Sequence, residues 1–208
     1  MQLFEQDLFT LNDDINRYLP FDVKNPHFPD ATITVKMLLT HSSSICKEHI
    51  FHPLGMTKTT WLFSETPRDE VAVPYLDKNS PAAANPYYTF PTYPDGHLTT
   101  TIKDFSKFLR AYTNGGTFNG YQLLKPETIA LMFQPHFVSE GSFKYQGLIF
   151  YREETGGRTV WAHGGGDWGT STDLIIDNKN NTGCIIFNNR WPCYSETIRC
   201  ALIQYADR

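Results

Sequence analysis

The stretch Trp161–Asp173, WAHGGGDWGTSTD, most constrains what this chain can fold into. Strand-like runs, RTVWAH and TSTDLIID, flank three consecutive glycines. Glycines have no side chain to bury, so such a run belongs where backbone turns unusually or closely approaches another group. His163 beside it could hold a polar group against exposed N–H donors. The stretch is therefore the strongest site candidate in the chain.

Composition narrows the function classes. The chain has 208 residues, enough for one domain with a sizeable core. Hydrophobic residues make up 40% and aromatics 14%, which suits a globular rather than a disordered protein. The net charge is −4 with the two signs mixed along the chain, so no basic stripe points to nucleic acid. No apolar run reaches membrane-spanning length, and the acidic N-terminus does not read as a signal peptide. Cys46, Cys184, Cys193 and Cys200 form no C-x-x-C pair and read as scattered thiols. Asn180-Asn181-Thr182 fits a glycosylation sequon but lies in a polar turn that explains it without glycosylation.

The pattern along the chain predicts helices first and antiparallel strands later. Residues 2–10 read as amphipathic helix through Leu3, Phe4 and Leu8. Asp13 and Asp14 precede a short helix and read as caps rather than as paired catalytic carboxylates. Thr34 could cap a helix through Met37, Leu38 and Leu39, and CKEHIF reads as helix. From Thr57 to Pro94 the chain is an irregular connection, with one short strand at VAVPYL. The clearest helix is TTTIKDFSKFLRAYT, ended by Gly115 and Gly116. Pro126 opens another. FKYQGLIFYRE, RTVWAHG, TSTDLIID and GCIIFNN read as strands separated by ETGG, GGDWG and DNKNNT, hence a meander. Ser195 caps a last helix with Ile198, Ala201, Leu202 and Tyr205 on one face. The fold class is α+β, a single domain over 1–208, with 1–136 mostly helix and loop and 137–208 strands plus the closing helix.

The segments LFTLNDDINRYLP, ITVKMLLTHSSSI, IFHPLGMTKTTW, YPDGHLTTTIKDFSKFLRAYTNGG, LLKPETIALMF, YQGLIFY and WAHGGGDWGTSTDL, in this order, resemble the beta-lactamase-related serine hydrolases. That family includes class C beta-lactamases, D-alanyl-D-alanine carboxypeptidases, D-aminopeptidases and some esterases. The resemblance implies a partial beta-lactamase/transpeptidase-like fold: an antiparallel sheet with covering helices and the remnant of a helical lobe. It implies acylation of a serine by an amide, lactam or ester, then hydrolysis, on a small-molecule or peptide-like substrate. It implies no cofactor and no metal. Members usually work outside the cytoplasm; the compartment of this chain stays open.

The family's chemistry needs three motifs at one cleft, because a hydroxyl is a weak nucleophile until a neighbouring base activates it. The third is matched by His163-Gly164-Gly165, followed by Gly166. The resemblance gives His163 the electrostatic and hydrogen-bonding position, makes Gly164, Gly165 and Gly166 substrate-binding, and assigns the Gly166 N–H to the oxyanion hole. Such a donor is worth about 3–4 kcal/mol. The Ser-x-x-Lys position falls upstream of residue 1. The Tyr-x-Asn block falls at the Ile45–Cys46 junction, where expected residues are absent. The resemblance therefore implies an N-terminally truncated, internally deleted chain with little or no hydrolytic activity. The alternative is a non-catalytic binding remnant, splice form or incomplete gene product.

Two short patterns mimic the missing motifs. Ser44-Ile45-Cys46-Lys47 spells Ser-x-x-Lys at the junction, away from the family's nucleophile position. Tyr112-Thr113-Asn114 spells Tyr-x-Asn, but Tyr112 lies on the apolar face of a helix. HGGG also occurs in α/β-hydrolase lipases, but no G-x-S-x-G elbow follows. His49 and His52 could share a helix face, but no third metal ligand stands out. The Tyr and Phe residues from Tyr87 to Tyr93 either line a cleft wall or cover the core. Loss of central pieces should leave sheet surface exposed beside the glycine strand, with self-association there as one outcome.

Overall fold

Period-two alternation of apolar residues builds the sheet, and glycine turns set its register. The computed structural model describes residues 8–10, 12–25, 29–35, 46–76, 86–88, 96–138, 145–190 and 196–206. The helix expected over residues 2–10, that through Met37–Leu39, the cap Ser195, Cys193 and most of the Tyr87–Tyr93 cluster lie wholly or largely outside them. Strands β1 (Thr117–Phe118) and β2 (Tyr121–Gln122) form a small hairpin. The other strands are β3 (Phe137–Val138), β4 (Tyr145–Gln146), β5 (Tyr151–Thr155), β6 (Arg158–Asp167), β7 (Thr170–Asp177) and β8 (Thr182–Asn188). They make one antiparallel six-stranded sheet in sequence order, the expected meander. The β5–β6 turn is Gly156–Gly157, with φ of 59° and 81°, the left-handed pair that a tight two-residue hairpin needs.

Helices cover both faces. Helix α1 (Ile102–Thr113) is capped by Thr101, whose side chain accepts from the Asp104 N–H. Helix α2 (Pro126–Met132) has its proline in the first turn, where the missing N–H costs nothing. Leu109 and Tyr112 of α1, with Ile129, Met132 and Phe133, pack on Trp161, Leu174 and Ile176. Helix α3 (Glu196–Tyr205) puts Ile203 on the opposite face, against Val160, Ala162, Ile175 and Cys184. Alternation along β6 and β7 sorts these residues between the two layers. A second cluster, Phe51, Leu54, Met56, Ala111 and Phe118, joins the segment before α1 to the β1–β2 hairpin. Phe105 and Phe108 of α1 touch both clusters on the helical side.

Several expectations need correction. FKYQGLIFYRE is not one strand: the chain breaks between β4 and β5, where Ile149 has φ of 73°. The turn GGDWG is shorter than read. The glycines stay extended inside β6, and Trp168–Gly169 make the turn, with φ of 84° at Gly169. CKEHIF is a single wide π-helical turn over Lys47–Phe51. VAVPYL yields an isolated parallel bridge, Tyr75 to Arg190, rather than a strand. On α3 the stripe Ile198, Leu202 and Tyr205 faces outward, because Ile203 and Arg199 face the sheet. Arg199 pairs there with Glu153 and lies 4.0 Å from Asp173. Of the two early aspartates, Asp14 is the cap, accepting from the Asn16 N–H, while Asp13 accepts from Thr10 and Tyr18.

The β7–β8 turn is held by one buried carboxylate. Asp177, 1% exposed, accepts from the Lys179 and Asn180 N–H groups at 3.1 and 3.2 Å, from Asn180 Nδ2 at 2.7 Å and from Arg158 Nη1 at 3.1 Å. Burial alone would raise its pKa, but these hydrogen bonds outweigh burial and hold it below the usual carboxylate value. The unfolded chain therefore binds this proton more tightly than the folded one. The resulting stability is present above the unfolded pKa of about 4 and is lost as pH falls through the folded value. Asp177→Ala should cost about 3 kcal/mol in urea unfolding near neutral pH, since it removes the buried acceptor of the turn amides and of Arg158. The gap between variant and wild type should shrink as the pH is taken down to about 3.

Candidate functional site

The site is built on the far half of β6. Strand β5 begins at Tyr151, opposite Ala162, whereas β7 continues alongside β6 to the pair Asp167–Thr170. Beyond Ala162, β6 is therefore backbone-paired on one side only among the described residues. The two-residue turn makes Asp167–Thr170 a hydrogen-bonded pair, so Gly165 and His163 also point their N–H groups at β7. Gly164 and Gly166 point theirs the other way, toward the uncovered edge. The Gly164 N–H is taken up there by the Tyr151 hydroxyl, a side chain standing where a strand would continue. Burial, above all, raises the Tyr151 pKa, so the phenol keeps its proton. The Gly166 N–H faces the same edge, one turn of the pleat further on.

The glycines permit close approach rather than a turn. A Cβ on Gly165 would lie 2.6 Å from Thr172 Oγ1 across the strand pair. On Gly164 it would meet the Tyr151 hydroxyl at 3.4 Å and Asp173 Oδ1 at 3.6 Å, ordinary contacts. Trp161, His163, Gly165 and Asp167 alternate onto the face covered by α1 and α2. His163 is exposed there, its ring edge-on to Phe150 with centroids 6.5 Å apart. Tyr151, Asp173 and Arg199 support the same strand from the opposite face.

A second group of side chains closes the outer end of β6. His97 Nε2 lies 3.7 Å from Asp167 Oδ2, and the Trp168 N–H donates to Asp167 Oδ1 at 2.7 Å. Tyr88 stacks edge-on against His97 at 4.8 Å and lies 6.2 Å from the Trp168 ring. Burial, then the hydrogen bond to Asp167 and its charge, push the Tyr88 pKa up to about 12, so Tyr88 is a neutral donor. His97 has φ of 63°, a left-handed conformation seldom adopted outside glycine. The Tyr87 hydroxyl donates to the Val71 carbonyl at 3.0 Å and anchors this segment. Pro74 and Tyr75 lie against Gly169 so closely that a Cβ there would sit 2.4 Å from Pro74 Cβ.

The other expected residues lie elsewhere. Ser44 falls outside the described residues. Lys47 begins the π-helical turn beside the Phe51 cluster, and its Nζ pairs with Glu65 Oε1 at 3.7 Å. Tyr112 is buried in the cluster of Trp161 and Phe150, which pushes its pKa up to about 12. Asn114 Nδ2 donates to the Thr117 carbonyl and closes the end of α1. Burial likewise raises the Cys46 and Cys184 thiols, Cys184 to about 12, so both stay protonated and are poor nucleophiles. His52 Nδ1 lies 3.5 Å from Glu48, a helical pair. Among the described residues no three His, Cys, Asp or Glu side chains come together as metal ligands, and no helix is long and apolar enough to cross a membrane.

The fold is an antiparallel sheet covered by helices on both faces, with an exposed histidine beside three glycines on one strand. The family model described as Beta-lactamase matches residues 44–201, most of the chain, and the chain belongs to the beta-lactamase-related serine hydrolase family. An octameric penicillin-binding protein homologue from Pyrococcus abyssi superposes with a TM-score of 0.63 and 16% identity, over 100% of this chain and 63% of that one. A class C beta lactamase from Rhodobacter sphaeroides gives 0.61 and 14%, over 79% and 54%. D-amino acid amidase from Ochrobactrum anthropi gives 0.59 and 16%, over 99% and 80%. At these identities the likeness is one of fold. The chain spans less than two thirds of the length of the first two. No curated protein matches it.

The glycine strand stands out in the sequence, whereas Tyr151, Thr172, Asp167 and His97, which the structure places around it, do not. Alternation alone puts Asp167 on the face of His163; the others are cross-strand or long-range neighbours without a local signal. Gly165→Ala should cost about 1 kcal/mol in unfolding, because the new methyl displaces the Thr172 hydroxyl. In Thr172→Ala the same change should cost measurably less. A double-mutant cycle in urea checks this, with a coupling of at least about 0.5 kcal/mol expected.

Proposed function

We propose that this chain is a beta-lactamase-family homologue that keeps a substrate-binding wall and has little or no acylating activity. His163 and the glycines Gly164, Gly165 and Gly166 form the wall, with the Gly166 N–H as the oxyanion donor. The carrying observation is the ion pair of Lys47 with Glu65, beside the Phe51 cluster, whereas His163 stands over the Phe150–Trp161 cluster. The Lys47 ammonium is engaged with Glu65 and not with His163. Burial of Tyr112 in the core supports the same reading, because a phenol sealed among Phe133 and Phe150 cannot reach a substrate. Donors aimed at an oxyanion without an attacking group leave at most weak residual catalysis.

The similar structures are those of a penicillin-binding protein homologue, a class C beta lactamase and a D-amino acid amidase. We infer a ligand of that small, carbonyl-bearing kind, bound without covalent capture. Non-catalytic binding is the form of the alternative that these contacts favour. Self-association through uncovered sheet surface belongs to the same reading. It would cover Ile149, 66% exposed just before β5.

Incubation with a fluorescent penicillin and with a fluorophosphonate, followed by denaturing electrophoresis, tests the reading. No labelling above that of heat-unfolded protein is expected, in the wild type and in Ser44→Ala alike. Stoichiometric labelling that disappears in Ser44→Ala would overturn it.

A further inference from the structure

The group at the outer end of β6 is not accounted for by the oxyanion wall. The hairpin tip needs only a short polar residue before Gly169, yet it carries Trp168, 64% exposed. The Trp168 ring and the Tyr88 ring meet at 58° with centroids 6.2 Å apart and so form a corner. The Asp167 carboxylate lies beside that corner. It accepts from the Trp168 N–H at 2.7 Å and from the Tyr88 hydroxyl, with His97 at 3.7 Å on its other side. A carboxylate has about four acceptor positions, so it can take a further donor. Asp167 shares the face of His163 and directly follows Gly166, which puts the corner at the outer end of the same strand face. Along the strand it is roughly 13 Å from His163, at about 3.3 Å per residue.

Two inclined aromatic rings over one carboxylate suit a soft organic cation. Ring faces attract a cation within about 6 Å of their centroids, and the carboxylate supplies the counter-charge. An anion would meet the charge of Asp167. A hard metal ion would find one carboxylate and two rings where it needs several oxygens.

We propose that Trp168, Tyr88 and Asp167 form a subsite for an alkylammonium group at the outer end of this strand face. His97 is a positioning residue in it. It packs edge-on against Tyr88 and flanks the carboxylate, and its left-handed backbone brings the ring under the hairpin. The subsite does not depend on hydrolysis, since a cation can rest there in a chain that never acylates. Its failure is therefore distinct from failure of the binding-wall reading.

Titration of the folded protein with tetramethylammonium chloride, against sodium chloride at matched ionic strength, tests this by proton–nitrogen NMR. The Trp168 indole resonance is identified by its loss in Trp168→Leu. A saturable shift of that resonance and of the Gly166 amide is expected with tetramethylammonium and not with sodium. Asp167→Asn should weaken binding at least ten-fold, about 1.4 kcal/mol. Tyr88→Phe, which keeps the ring and loses the hydroxyl, should stay within about three-fold of wild type, a difference below that same 1.4 kcal/mol. Equal, non-saturating shifts with both salts would overturn the proposal. So would an Asp167→Asn protein, folded by its dispersed spectrum, that binds as the wild type does.

Discussion

The arrangement depends on a mismatch in strand length. Strand β5 begins at Tyr151, opposite Ala162, and β6 runs on past that pair to Asp167 with β7 alone beside it among the described residues. An antiparallel strand sends alternate N–H groups to opposite sides. A strand paired on one side therefore leaves every second donor facing open space. Here those donors belong to Gly164 and Gly166, and Tyr151 takes up the first. The glycines let neighbouring groups come close without a Cβ in the way. Had β5 been longer, the same sequence would have been an ordinary interior strand.

The rest of the molecule holds that strand in place. Trp161 and Leu174 are fixed by α1 and α2 on one face, and Val160 and Ala162 by α3 on the other. Asp177 ties the far turn of β7 to Arg158, at the start of β6. At the near turn, Pro74, Tyr75 and Asn189 lie together, with the Tyr75 N–H donating to the Asn189 carbonyl at 3.0 Å. Strand, turn and loop thus support one another, while Lys47 and Glu65 sit with a different cluster.

Much of this was legible in the residues. The meander follows from period-two runs divided by Gly-Gly and Asp-Asn turns, and α1 from its apolar face and Thr101. Strand β6 shows in the sequence as glycines next to a histidine. What escaped was set by tertiary contact. Ile149 takes a left-handed φ that a β-branched residue avoids on its own, so FKYQGLIFYRE looked continuous. Helix α3 has few apolar residues, and its inner face is chosen by Ile203 and by the pairing of Arg199 with Glu153 rather than by the broader stripe. His97, Tyr88 and Asp167 meet only because a long connection folds back on a hairpin tip. Nothing local marks such a meeting except a histidine where the backbone suits glycine.

The central claim is that the β6 edge presents the Gly166 N–H uncovered while its neighbour is locked in the sheet. Residue-resolved amide hydrogen exchange reads this directly. Gly165, paired with Thr172, should be protected like the core of β7, and Gly164 partly, through Tyr151. Gly166 should exchange close to the rate of an unstructured amide. Protection of Gly166 equal to that of Ile175 would contradict the account.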